Sequence, residues 1–162
     1  MHNDIEEIIK DFRATVEDAS KRMMEISDEK SANHAAPGKW SRKQIVGHLI
    51  DSAANNHQRF VRGQHKDDLV FQGYDQEAWV SSQDYQSESW TELVQLWKHY
   101  NLHIAHVISR IPVDTLKKPR HPHSLDQIAW KYVEKDQPTS IEYVFTDYIG
   151  HMKSQLDQIF RG

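Results

Sequence analysis

WSRKQIVGHLIDSAANNHQRF, residues 40–60, decides the fold. It opens with a helix start: Ser41 at the N-cap position, Gln44 three residues on, and Trp40 just outside. The Ser41 hydroxyl can accept the Gln44 backbone N–H while the Gln44 side chain reaches back to the cap, so two orphan donors are satisfied together. Beyond the cap, Ile45, Val46, Leu49, Ala53 and Phe60 form one apolar face at helical spacing. A polar stripe of Gln44, His48, Asp51 and Asn55 runs along the edge of that face, with His48 nearest the core. A surface helix usually carries Lys and Glu on its polar side. This one carries imidazole, carboxylate and amide groups, which can coordinate or hydrogen-bond a ligand.

A second helix, TSIEYVFTDYIGHMKSQLDQIF over residues 139–160, gives the first its importance. Thr139 with Glu142 reads as its cap, just after Pro138, and Ile141, Phe145, Tyr148, Met152, Leu156 and Ile159 as its buried stripe. His151 and Gln155, one turn apart, flank that stripe beside Val144 and Tyr148. If the two helices pack by these faces, His48 and His151 approach inside a bundle. Two imidazoles on facing helices begin a metal site without completing it.

Two further helices are predicted over residues 4–27 and 89–110. In the first, Ile5, Ile8, Phe12, Val16, Ala19, Met23 and Ile26 step by three or four; in the second, Leu93, Leu96, Trp97, Tyr100, Ile104 and Val107 form the core, from a Ser89–Glu92 cap to a stop at Pro112. No stretch reads as a convincing strand. The links on either side of the 89–110 helix are long for a bundle and can each carry the chain back along its full length. Phe71, Tyr74, Trp79 and Tyr85 in the first link, and Trp130 and Tyr132 in the second, are expected to anchor them.

With 162 residues, 38% hydrophobic and 27% charged, the chain suits one globular domain with a sizeable core. A net charge of −4 argues against nucleic acid as a partner. Arg110, Lys117, Lys118 and Arg120 read as a solvated loop. There are no cysteines, which removes disulfides, thiolate ligands and a cysteine nucleophile. The acidic N-terminal stretch MHNDIEEIIKDF is neither a signal peptide nor an anchor, and no segment has the length of a membrane span, so a cytoplasmic location is expected. H-E-x-x-H, G-x-S-x-G and P-loop motifs are all missing, and Ser52 lacks a visible base for a serine mechanism beyond nearby His48.

The chain resembles the DinB/YfiT-like superfamily, which includes bacillithiol-transferase-like proteins, over nearly its whole length. The likeness is most specific at Trp40-Ser41 with Gln44, His48-Leu49 with Asp51-Ser52, Arg59-Phe60, Tyr74-Asp75 before Trp79, and residues 151–158. It implies an all-α, single domain over residues 1–162: a four-helix bundle with long inter-helix connections, in up-down-down-up order, often paired as a homodimer. It also implies a divalent metal, nickel or zinc, held by one histidine of the second helix and two of the fourth. Position by position these fall on His48 and His151, with Gln155 where the second fourth-helix histidine belongs and Ser154 where many relatives also show histidine. An amide oxygen is a weaker ligand than imidazole for these metals, so affinity is expected to be lower.

The expected function is a divalent-metal-dependent enzyme that transfers a low-molecular-weight thiol to an electrophile or hydrolyses a small molecule. His48, His151 and Gln155 would form the metal site, and Asp51, a turn from His48, would be general base or orienting group. With no cysteine in the chain, any thiol comes from the substrate. The rival is a non-catalytic bundle that has lost its metal and holds a small ligand between Trp and Tyr side chains of the links. His99, His103 and His106 form a stripe at i, i+4 and i+7, from which His103 could supply the missing ligand; His57 carries similar weight, and His121-Pro122-His123 resembles a loop of the transferase-like branch. Ile50, Ile149 and Phe160 lie outside or at the margin of the core stripes and suggest a twofold partner.

Overall fold

Each of the four periodic segments forms a long helix, and shorter helices occupy the links. The computed structural model describes residues 3–162. Its α-helices are α1 (Asn3–Met24), α2 (Asp28–Ser31), α3 (Arg42–Arg62), α4 (Gln76–Gln83), α5 (Trp90–Ser109), α6 (Val113–Lys117), α7 (Leu125–Ile128) and α8 (Ile141–Arg161). Among the described residues there is no strand, only isolated bridges such as Leu69 with His123. No helix among them is long and apolar enough to cross a membrane.

The capping box that opens α3 is complete: Ser41 Oγ accepts from Gln44 N at 3.2 Å, and Ser41 N donates to Gln44 Oε1 at 2.9 Å. Ser89 caps α5 by accepting from Glu92 N. In α8 the cap lies one residue beyond the expected Thr139. Ser140 Oγ accepts from Tyr143 N, while the Thr139 backbone is paired with Arg120, N to O in both directions.

Contacts along the helices fix their directions. Trp90 Nε1 donates to Met23 O at 2.8 Å and Lys98 pairs with Glu17 further along, so α1 and α5 are antiparallel. Lys43 Nζ reaches Glu88 O at 2.7 Å, and His57 meets the Tyr100 hydroxyl at 3.1 Å, so α3 and α5 are parallel. Arg42 Nε donates to Ile159 O at 2.8 Å and Phe60 packs on Phe145, so α3 and α8 are antiparallel. Phe12 stacks edge-on against Phe145, and Arg22 lies over the Phe160 ring, so α1 and α8 are parallel. The order is up-down-down-up. Only the α3–α5 link must therefore return the chain along the bundle. The α5–α8 link begins and ends at one end, and its length serves the site described below.

Phe12, Phe60, Trp90, Trp97 and Phe145 are fully buried where the four helices meet. The α5 face differs from the expected one: Leu96 is 47% exposed, while Val94, Ala105 and Ile108 are buried. This helix packs against both α1 and α3, which broadens and turns its buried face. Ile50 and Ile149 are also buried within a single chain, Ile149 beside Ile8 and Asp11 of α1, so they offer no exposed patch for a partner. Tyr132 is 73% exposed and anchors nothing. Arg120, read as part of a solvated loop, is buried and donates to the carbonyls of Gly63, Lys66 and Thr115.

One buried polar contact ties α5 to α8. Asn101, fully buried, donates to Trp97 O at 2.8 Å and accepts from the Tyr148 hydroxyl. Tyr148→Phe is expected to leave the Asn101 oxygen unpaired and cost about 1–3 kcal/mol, measured as a shift in the urea unfolding midpoint with unchanged slope.

Candidate active site

His48 and His151 come together, as the helix pattern requires. Their ring centres are 5.3 Å apart and nearly perpendicular. Trp40 packs on His48 at 5.1 Å and Trp130 on His151 at 6.1 Å, so an indole from each flanking segment shields the pair. Two glycines make this arrangement possible, each one residue before a histidine. A Cβ on Gly150 would lie 2.8 Å from the Trp130 ring, and one on Gly47 would lie 2.0 Å from the Tyr85 ring. The helix surface is thus cut away where rings from the links press onto it.

Neither imidazole makes a hydrogen bond among the described residues, and His48 Nδ1 is buried without any partner. Burial, with the neighbouring His151 adding to it, pushes His48 down to about 4; burial also lowers His151, against the opposing charge of Asp147. Both rings are neutral at pH 7, the form that ligates metal. Two imidazoles bound to one metal at about 2.1 Å hold their ring centres roughly 5 Å apart, and the observed spacing agrees with that. Two neutral imidazoles at this spacing supply two of the ligands a divalent metal takes. Gln155, half-buried and one turn beyond His151, makes no side-chain hydrogen bond among the described residues. No group of three His, Cys, Asp or Glu residues capable of holding a metal occurs among them.

Asp51 is buried on α3 but turned toward the first link rather than to His48. Its Oδ1 accepts from the Tyr85 hydroxyl at 2.6 Å and from Gln83 Nε2 at 2.8 Å, while Oδ2 has no partner. Burial raises its pKa, with both hydrogen bonds opposing the rise. The other histidines lie elsewhere. His103 is exposed and faces half-buried His57 at 5.2 Å, in the α3–α5 seam, and His99 and His106 are exposed. His123 is buried with both ring nitrogens engaged, Nε2 to Gln137 O at 2.6 Å and Nδ1 from Leu125 N at 3.0 Å, which makes it a structural residue.

A cavity of about 310 Å³ opens beside the pair, with His151, Tyr148, Arg59, Tyr74 and Trp130 in its walls. The second link forms its outer side. Asp147, one turn before His151, accepts from Trp130 N at 2.9 Å and Lys131 N at 2.8 Å, fixing Trp130 over α8. Sequence reading did not assign Arg59, Tyr74 or Asp147 to the pocket; the only signal was the Arg59-Phe60 and Tyr74-Asp75 pairs within the family likeness.

Fold and site together define an α-helical bundle with an imidazole pair at the edge of a cavity. The chain belongs to the DinB superfamily, whose sequence model matches residues 11–151. Its fold is similar to that of YfiT from Bacillus subtilis, 16% identical, with a TM-score of 0.73 over 94% of this chain and 84% of that one. YfiT is described as a probable metal-dependent hydrolase with an unusual four-helix bundle topology. No curated protein matches the chain.

Proposed function

We propose that the pocket beside His48 and His151 is the active site of a divalent-metal-dependent enzyme acting on a small molecule. The observation that carries this reading is the pair formed by buried His48 and half-buried His151, without a hydrogen bond among the described residues and spaced as two ligands of one ion. His48 and His151 would hold the metal, with the Gln155 amide oxygen as the third protein ligand. A divalent ion there supplies Lewis acidity and lowers the pKa of a coordinated water or thiol. The chain's own residues provide the rest. Trp40 and Trp130 pack on the two imidazoles, Asp147 holds the Trp130 segment on α8, and burial favours the unprotonated form of both rings. Asp51, buried and bonded to Tyr85 and Gln83, would orient the first link against α3 rather than take a proton in the cavity.

For the reaction, hydrolysis is supported by the description of YfiT, and transfer of a low-molecular-weight thiol by the family likeness. With no cysteine in the chain, the thiol would arrive as substrate. A cytoplasmic site of action fits either. Pairing as a homodimer rests on family likeness alone, since Ile50 and Ile149 are already covered.

The rival reading is a non-catalytic bundle that binds a small ligand without metal. Gln155, in place of a stronger ligand, favours it. Gln155→His separates the two. Adding an imidazole should raise Zn²⁺ or Ni²⁺ affinity tenfold or more, by analogy with the loss on removing a supporting group. Activity of the unaltered protein that disappears on chelation supports the enzyme; tighter metal binding with no activity in either form supports the binding module.

A further inference from the structure

Arg59 is a cation buried without a counter-charge. Its side chain projects from α3 into the wall of the cavity beside the imidazole pair, and the residue is 8% exposed. No carboxylate among the described residues lies within ion-pair distance of it. Its two hydrogen bonds are long and go to neutral oxygens, Nη1 to Asn56 Oδ1 at 3.4 Å and Nη2 to Gln72 O at 3.3 Å. Burial of a guanidinium is costly unless it is paired. Of the other buried cations, Lys43 has Asp28 at 3.2 Å, and Arg120 donates to three backbone carbonyls while its Nε has no partner. Neither lines this cavity, whereas Arg59 does.

We propose that Arg59 is the docking site for the oxyanion group, carboxylate or phosphate, of the small molecule that enters this pocket. The guanidinium fork matches such a group in a two-point contact, and the low-dielectric wall strengthens it. Tyr74 lies on the same wall. Burial pushes its hydroxyl up to about 12, against the pull of Arg59, so it stays protonated and able to donate to an anion. The acid that shares the cavity, Asp147, is turned to the backbone N–H groups of Trp130 and Lys131 and makes no ion pair with Arg59. The assignment places the substrate by its charged end at Arg59 and presents the remainder toward His151. It rests on the reading of this pocket as the active site, but the anion contact itself needs no metal.

The test is calorimetric titration of the metal-free protein at low ionic strength, with inorganic phosphate and with acetate in separate runs. Saturable binding of at least one is expected, and the tighter of the two identifies the class of headgroup. Arg59→Gln should weaken it at least tenfold. Asn56→Asp covers the case in which Arg59→Gln fails to fold: a carboxylate at that position would pair with Arg59 internally and should weaken binding by a similar factor while keeping the fold. No binding of either anion, or binding unchanged in Asn56→Asp, overturns the proposal. Metal loading measured separately on the same unaltered protein keeps the two readings apart: anion binding without loading removes the metal and leaves Arg59 in place, and loading without anion binding does the reverse.

Discussion

Gly47→Ala is expected to destabilise the protein by about 3 kcal/mol or more, an unusual outcome for a glycine-to-alanine change inside a helix. Taken alone, that change favours a helix by about 1 kcal/mol. Here the new methyl would meet the Tyr85 ring at 2.0–2.4 Å on three of its carbons, and Tyr85 is only 4% exposed. The ring must move, with an overpacking cost of about 1–3 kcal/mol. Moving it also breaks the 2.6 Å hydrogen bond from its hydroxyl to Asp51, a contact to a carboxylate worth about 1.5–3 kcal/mol. Equilibrium unfolding in a double-mutant cycle checks the cause. In a Tyr85→Ala background the methyl has room, and Gly47→Ala should become neutral or stabilising. Additive effects of the two changes would show that the ring is not what excludes the side chain.

The metal-free protein should lose stability on mild acidification, and His48 should dominate the loss. Its pKa falls from 6.5 to about 4 on folding, through burial first and His151 second. The unfolded chain therefore binds this proton more readily than the folded one, and stability falls as the pH drops. The contribution is complete above about pH 6.5, declines down to about pH 4, and levels off once the folded form is also protonated. At about 1.4 kcal/mol per pH unit, the total is on the order of 3 kcal/mol. His151 and His57, both lowered mainly by burial, act in the same direction. Asp51, whose pKa is raised, acts in the opposite one: it favours the folded state where it is protonated. Urea unfolding at pH 7.5 and pH 4.5 on the unaltered protein and on His48→Gln measures the term. The variant should show a clearly smaller drop between the two pH values; equal drops would mean His48 is not held neutral by the fold.

Much of this architecture is legible in the sequence because it depends on local pattern. The Ser41–Gln44 capping box, the apolar steps of α1, α3 and α8, and the placement of His48 against His151 all follow from helical spacing and end chemistry. What was missed depends on contacts between distant segments. The buried face of α5 is set by two neighbours at once, so helical spacing alone predicts Leu96 in the core, where Val94 and Ala105 lie instead. Ile50 and Ile149 looked exposed because no periodicity shows what the rest of the chain lays over them. Spacing alone makes Asp51 a partner of His48, whereas Tyr85 and Gln83, more than thirty positions away, hold its carboxylate. Arg59 reads in sequence as an ordinary basic residue near a helix end. Only the folded chain shows that it is buried, lacks a counter-charge and faces the cavity.

The proposed metal site rests on His48 and His151. Elemental analysis, after stripping the protein with chelator, reloading it with Zn²⁺ or Ni²⁺ and removing the excess, tests it most directly. Roughly one ion per chain is expected in the unaltered protein and little in the paired His48→Ala, His151→Ala variant, because a ligand set of this size cannot lose two imidazoles and retain the ion. Equal loading of the two proteins would contradict it and move any metal to other residues.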